Sequence, residues 1–357
     1  MYDPPYVCAV PSGAPSILHP ISAAVVNNFS VAEDGSFFAL GTFRGDHVVF
    51  GAGEPRQTAL CAWDDGMADL FVAKYTSSGA LTWVGRAGGR RMDNPGGLVA
   101  TRDGGAIVVG SYYDEMRFGP VDHSEATLPS SNSASFAARY DAEGHVAWAR
   151  RIDGHYAEAS KVAVTPEDAA IVVGHFEGEL RFDDAPDATL HSQGRRSLAE
   201  SMREVPVGTH SDGFAARYDR SGNLEWARAI GGPGSDVATA VAVDGEDAVV
   251  VGTFATAATL GGVSLRAVLL KDGFVARYAA DGRLRWARSF GGAGADDAWA
   301  VTIDRARRTW VSATLGVIDP AAQDRARVLS PGRPERFLIS YDTEGTRCSL
   351  EPLACAP

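Results

Sequence analysis

Five copies of one two-strand pattern, four short strands in every repeat, and a tryptophan recurring at one position predict an all-β chain: a β-propeller of five four-stranded antiparallel blades. The clearest copy of the pattern runs from Asp272 to Gly292, DGFVARYAADGRLRWARSFGG. Near-duplicates begin at Asp212 and Asp69; the copy at Ala134 lacks the leading acid, and the copy at Glu335 departs after its turn. The period of two in F-x-A-x-Y puts Phe274, Ala276 and Tyr278 on one face and Val275 and Arg277 on the other. A-A-D-G supplies a tight turn, with Gly282 where a positive φ is needed, and L-x-W-A-R returns antiparallel until Gly291 and Gly292 stop it.

The other half of each repeat precedes this hairpin. A short alternating strand comes first, as in Leu98-Val99-Ala100, Val162-Ala163-Val164, Val241-Ala242-Val243 and Val301-Thr302-Ile303. A Gly-containing or acidic turn follows. Then comes an apolar strand ending in Gly, such as FFALGTF at Phe37, AIVVGSY at Ala106 or AVVVGTF at Ala248; TWVSATL at Thr309 is a weaker version. A single four-stranded sheet cannot bury both faces, so stacked neighbours must cover one another. Trp83, Trp148, Trp226 and Trp286, at one position of the last strand, read as the rings wedged between neighbours. A solenoid would need shorter and more uniform rungs, and a sandwich would not repeat itself in this way.

The repeats fall at residues 22–90, 91–155, 156–234, 235–295 and 296–357, one domain preceded by an extended segment, 1–21, that offers a ring-closing strand at Tyr6–Val10. Two junctions carry a family resemblance, WARSFGGAGADDAWAVTID from Trp286 and WARAIGGPGSDVATAVAVDGEDAVVVGTF from Trp226. With their GGxGxD turn and V-V-V-G-T strand they resemble the bacterial β-propeller repeat family called SBBP, over residues 22–345. The resemblance implies a propeller in envelope or secreted proteins of bacteria, with no defined activity. The family pattern assumes seven blades, whereas five repeats are counted in this sequence.

Composition narrows the function. A formal net charge of −12 argues against a nucleic-acid partner, since phosphate-backbone binders carry basic surfaces. No apolar run approaches the roughly 20 residues that span a bilayer. The first twenty residues lack the basic start and continuous apolar core of a signal peptide, so an extracytoplasmic location rests on the family resemblance. P-loop, HExxH and GxSxG patterns are all absent, and no histidine spacing suggests zinc, so no catalytic residue is assigned. Cys8, Cys61, Cys348 and Cys355 form no CxxC; those at the two ends suit a bond between Cys8 and either Cys348 or Cys355 in an oxidising compartment.

Residues found in every repeat are most simply explained by the fold. Lys74, Arg139, Arg217 and Arg277 share one position, and pairing with Asp69, Asp212, Asp272 and Glu335 at the hairpin entrance is expected. Asp93, Glu158, Asp236 and Asp296 recur in the turn before each first strand. Their plain reading is hydrogen bonding to turn backbone; the sharper alternative is calcium, which wants six to eight oxygens. No cofactor is otherwise implied. Residues found once are the better functional candidates. Trp63, Tyr112, Tyr113 and Trp299, with Arg195, Arg196 and His210 from the longest variable segment, are the expected border of a binding surface. That segment also offers a short helix at Ser197 to Glu204. The function read from this is a non-enzymatic scaffold presenting variable loops to a protein or glycan; the alternative is a glycan-active hydrolase or lyase working in a central funnel.

Overall fold

The computed structural model describes residues 24–352 apart from 46–47, 64–66, 120–124, 195–209, 293 and 317–334. Tyr6–Val10, Cys8, Cys355, Arg195, Arg196 and the expected helix therefore lie outside the described residues. All regular structure among the described residues is β, and every strand-to-strand ladder is antiparallel. No sheet among them closes on itself. The chain forms two compact units, Met1–Asp153 and Gly154–Pro357.

In the first unit, β1 (Ala24–Val31), β2 (Phe37–Phe43), β5 (Asp69–Tyr75) and β6 (Leu81–Gly88) make one four-stranded repeat, with β3 (Val48–Phe50) and β4 (Thr58–Leu60) as a small hairpin inside it. The next repeat consists of β7 (Asn94–Ala100), β8 (Ala106–Gly119), β9 (Ala126–Tyr140) and the start of β10 (Val146–Val164). In the second unit the end of β10 is followed by β11 (Ala170–Phe182), β12 (Ala185–His191), β13 (Asp212–Tyr218) and β14 (Leu224–Ile230). Two four-stranded sheets complete it. They are β15 (Val237–Asp244), β16 (Asp247–Leu260), β17 (Val263–Tyr278) and β18 (Leu284–Phe290), then β19 (Asp297–Ile303), β20 (Thr309–Leu315), β21 (Glu335–Tyr341) and β22 (Arg347–Pro352).

The central strands are apolar on both faces because neighbouring sheets cover both. In β16, Ala248, Val249, Val250 and Val251 are all fully buried: Ala248 and Val250 pack in one cluster, Val249 and Val251 in the next. The tryptophans fasten sheet to sheet. Trp83 stacks on Tyr140 at 5.7 Å, Trp226 on Tyr278 at 6.0 Å and Trp286 on Tyr341 at 6.2 Å. Each indole Nε1 also donates to a turn carbonyl of the following repeat: Ala142 at 3.0 Å, Ala280 at 2.9 Å and Thr343 at 2.8 Å. The turn glycine two residues further on must be glycine, with φ of +95° at Gly144, +75° at Gly282 and +78° at Gly345. A Cβ there would sit 2.5 to 2.7 Å from the indole ring.

Two expectations change. The variable segments are partly strands: β16 and β17 run past the four-stranded sheet and close at Gly261 and Gly262, both at positive φ, a two-residue hairpin turn. The last repeat, despite TRCSLEP, keeps its fourth strand, paired from Phe337↔Pro352 to Tyr341↔Arg347. Backbone pairing does not need the tryptophan, and Ser340 and Ser349 hydroxyls, 2.7 Å apart, occupy the cross-strand site that Arg277 and Trp286 hold one repeat earlier.

Candidate functional site

The first strand of four repeats carries a bulge at the same place, where one residue is inserted against its partner strand. The register shifts between Val26 and Asn28, Pro95 and Gly97, Ala238 and Ala240, and Ala298 and Ala300. The bulged residues are Asn27, Gly96, Thr239 and Trp299. A bulge frees its residue from the pleat and re-aims its side chain. Thr239 uses this freedom internally, bonding the Ala298 carbonyl at 2.8 Å and the Val251 carbonyl at 3.2 Å. Trp299 turns outward and is 59% exposed, with Nε1 held by the Thr314 hydroxyl at 2.8 Å. The ring is thus fixed but uncovered. Two residues upstream, Asp297 pairs with Lys271 at 2.5 Å and accepts from the Thr253 hydroxyl at 3.2 Å. An aromatic platform with a partly exposed ion pair on the same strand suits contact with a polar, flat-faced partner.

The other candidates have surroundings of their own. Tyr112 is fully buried, its ring 6.3 Å from that of Phe136, and this corrects its assignment to a surface: it points into the core of the second repeat. Tyr113, the next residue in the strand, points the other way and is 36% exposed. Trp63 is half-buried with the Arg86 and Arg117 guanidiniums 4.3 and 4.4 Å from its ring, and its Nε1 is buried without a hydrogen-bond partner. It is a ring packed against those two guanidiniums. His210 is half-buried, its backbone against Gly194 of the same segment.

The repeated arginines take other partners than expected. Arg139 pairs with Asp103, Arg217 with Glu225 and Glu246, and Arg277 with Asp244 and Asp247. The reason is distance along the strand: Asp272 and Arg277 are five residues apart, about 16 Å in an extended chain. The entrance acids instead accept backbone N–H groups from the preceding segment, Trp63 to Asp69 at 2.9 Å and Gln193 to Asp212 at 3.1 Å.

The turn acids cap the GG corner. Gly89 donates to Asp93 at 3.0 Å, Gly232 to Asp236 at 2.7 Å and Gly292 to Asp296 at 2.8 Å. Ala255 and Gly316 supply second bonds to Asp236 and Asp296. The acids are buried, and burial together with the neighbouring Asp69 charge pushes the Asp93 carboxyl up to about 9. Burial lifts Asp212 and Asp236 to about 7, with the Asp212 charge adding to the rise at Asp236. The sequence shows two separate repeated acids, one at the hairpin entrance and one in the turn; the structure makes them pairs, Asp69 with Asp93 and Asp212 with Asp236. The signal was present in the second repeat, where Ala134 replaces one member and the other becomes Glu158. Glu158 is not a corner cap; it bonds the Tyr156 hydroxyl at 3.1 Å. Being closed to solvent, the pairs cannot meet a substrate. Among the described residues no group of three or more metal-ligating side chains is assembled.

No protein-family model matches the sequence. The chain is 26% identical over 247 residues to an uncharacterized WD repeat-containing protein of Acanthamoeba polyphaga mimivirus, an overlap of 59% of this chain and 17% of that protein. It is 23% identical over 273 residues to the regulatory protein FlaEY of Caulobacter vibrioides, an overlap of 72% of this chain and 26% of that protein. The chain therefore matches about a quarter or less of the length of these relatives. A crystal structure of a protein of unknown function from Bacteroides caccae aligns over 93% of this chain and 82% of its own, at 9% identity and a TM-score of 0.41. With the internal repeats, the two relatives support a repeat β-fold.

Proposed function

We propose that this chain is a non-enzymatic interaction scaffold, a propeller-type array of five blades in the manner of the SBBP repeats, that holds a protein partner on its non-repeating surface. In this reading residues 22–357 count as one domain. The observation that carries it is Trp299: a large ring, exposed and hydrogen-bonded in place, at a bulge where other repeats have Gly96, Thr239 or Asn27. The fold does not need a tryptophan there, and an exposed rigid aromatic is what a binding hot spot uses. The WD-repeat and regulatory relatives agree with a protein partner.

An extracytoplasmic location is part of the same proposal. Cys61 is disulfide-bonded, and such a bond persists in an oxidising compartment. Cys348 is an exposed free thiol, so the expected Cys8–Cys348 bond is ruled out.

The test is affinity capture from the source cells by wild-type and Trp299→Ala chains, with melting curves of both. A partner retained by the first and lost from the second, at unchanged melting temperature, supports the reading. Equal retention overturns the assignment of Trp299, and a glycan eluting in place of a protein would move the partner class.

A further inference from the structure

The last sheet-to-sheet joint differs from its siblings in charge. On the face of Trp286 lies a groove of about 870 Å³ whose lining includes Arg277, Arg283, Arg285, Arg288 and Arg307, with Val263 and Leu284 as apolar wall. Register identifies the same positions one repeat earlier: Arg217 faces Trp226 across the strands as Arg277 faces Trp286, so Glu225 corresponds to Arg285 and Asn223 to Arg283. In that earlier joint, Glu225 and Glu246 both neutralise Arg217, at 2.5 and 2.7 Å. In the last joint the strand acid has become Arg285, and the turn that supplied Glu246 has its counterpart supplying Arg307.

Two acids have thus been exchanged for two arginines at positions where the fold accepts either. Two carboxylates now serve three guanidiniums. Asp247 holds Arg277 at 2.8 Å and Arg285 at 2.8 Å, while Asp244 holds Arg277 at 2.7 Å and Arg307 at 2.9 Å. Among the described residues Arg288 bonds carbonyl oxygens, those of Ala287 at 2.9 Å and Glu344 at 3.4 Å. Arg283 pairs with Asp281 at 2.7 Å but is 83% exposed, and Arg285 and Arg307 are 54% and 62% exposed. Glu344 and Asp281 are the remaining acids at the rim. Each guanidinium carries five N–H donors in a planar fork, far more than these acids occupy.

Resting on the interaction-scaffold reading, we infer that this groove receives an acidic segment of a protein partner, its carboxylates taken in the guanidinium forks of Arg283, Arg285, Arg288 and Arg307. A chain of net charge −12 repels such a segment over most of its surface, so a basic groove fixes where it lands and in which orientation. Arg285 and Arg307, already held by Asp247 and Asp244, lose little freedom on binding.

The experiment is fluorescence anisotropy of a labelled octaglutamate peptide with the full chain, at 50 and 300 mM NaCl, beside a neutral Gly-Ser peptide and a sulfated octasaccharide. Saturable octaglutamate binding, at least tenfold weaker at the higher salt and absent for Gly-Ser, is expected. Arg283→Ser with Arg288→Ser, which leaves the Asp244 and Asp247 pairs intact, should weaken it at least tenfold without moving the melting temperature. Arg285→Glu with Arg307→Glu, which restores the acids of the earlier joint, should abolish it. No saturable binding, or binding untouched by the Arg283/Arg288 pair, overturns the inference. Tighter binding of the sulfated octasaccharide also overturns it, in favour of a glycan. Trp299→Ala separates the two readings: it should leave octaglutamate affinity unchanged even where it abolishes partner capture.

Discussion

At the scale of the residue, the buried carboxylates set how stability follows pH. The sign follows from burial. Asp93, Asp212 and Asp236 have folded pKa values raised above the roughly 3.9 of an unfolded aspartate, so the folded state holds protons the unfolded state has released. Their contribution is fully present below about pH 4 and is lost as pH rises through about 7, and through about 9 for Asp93. Melting temperature followed from pH 5 to 9 should fall across that window, and Asp93→Asn should flatten its upper part. A flat curve in the wild type would show the pairs to be hydrated or otherwise neutralised. Glycine gives a second residue-scale prediction. Gly282→Ala combines a positive φ with a Cβ 2.6 Å from the Trp226 ring, while Gly245→Ala has φ +61° and nothing within 4 Å. Denaturant unfolding should show a loss of about 1–2 kcal/mol for Gly245→Ala and at least 1 kcal/mol more for Gly282→Ala.

At the scale of the element, each joint depends on one indole that stacks and donates. Trp286→Phe should keep the stack on Tyr341 and lose the Thr343 bond, costing about 1 kcal/mol; Trp286→Ala should cost about 3–5 kcal/mol. Equal losses would mean that the hydrogen bond, not the ring, carries the joint. The strands of this element were legible because Phe274, Ala276 and Tyr278 alternate and because a W recurs four residues after the glycine of an SG, EG or DG turn. Less legible was what happens between the second and third strands. The ATAATLGGVSL stretch carries its own hairpin signal at Gly261 and Gly262, and three sibling repeats pair at the same place, but their turns share neither its length nor its residues, so no repeated motif draws attention to it. The site was legible only where a residue breaks the repeat, as Trp299 does. Tyr112 does not break it: it aligns with Phe43, Phe176 and Phe254, all buried, so the repeat itself marks it as core, and its exposed neighbour Tyr113 drew it into the surface set. The arginine groove was hidden for the opposite reason: Arg285 replaces Glu225 inside a strand that otherwise looks unchanged.

At the scale of the whole molecule, one covalent tie is present at Cys61. Reduction should lower stability by about 2–4 kcal/mol, and Cys61→Ser should reproduce the loss and abolish any further effect of reductant. The fastening of sheets has a direction as well. Trp83, Trp226 and Trp286 each precede their carbonyl acceptor in the chain, by 59, 54 and 57 residues. A ribosome adding about 5–20 residues per second needs some seconds to supply that acceptor. During synthesis each completed sheet therefore waits with one large aromatic uncovered. Slowing elongation at codons just after Trp226 would lengthen this interval without altering a single residue of the finished protein.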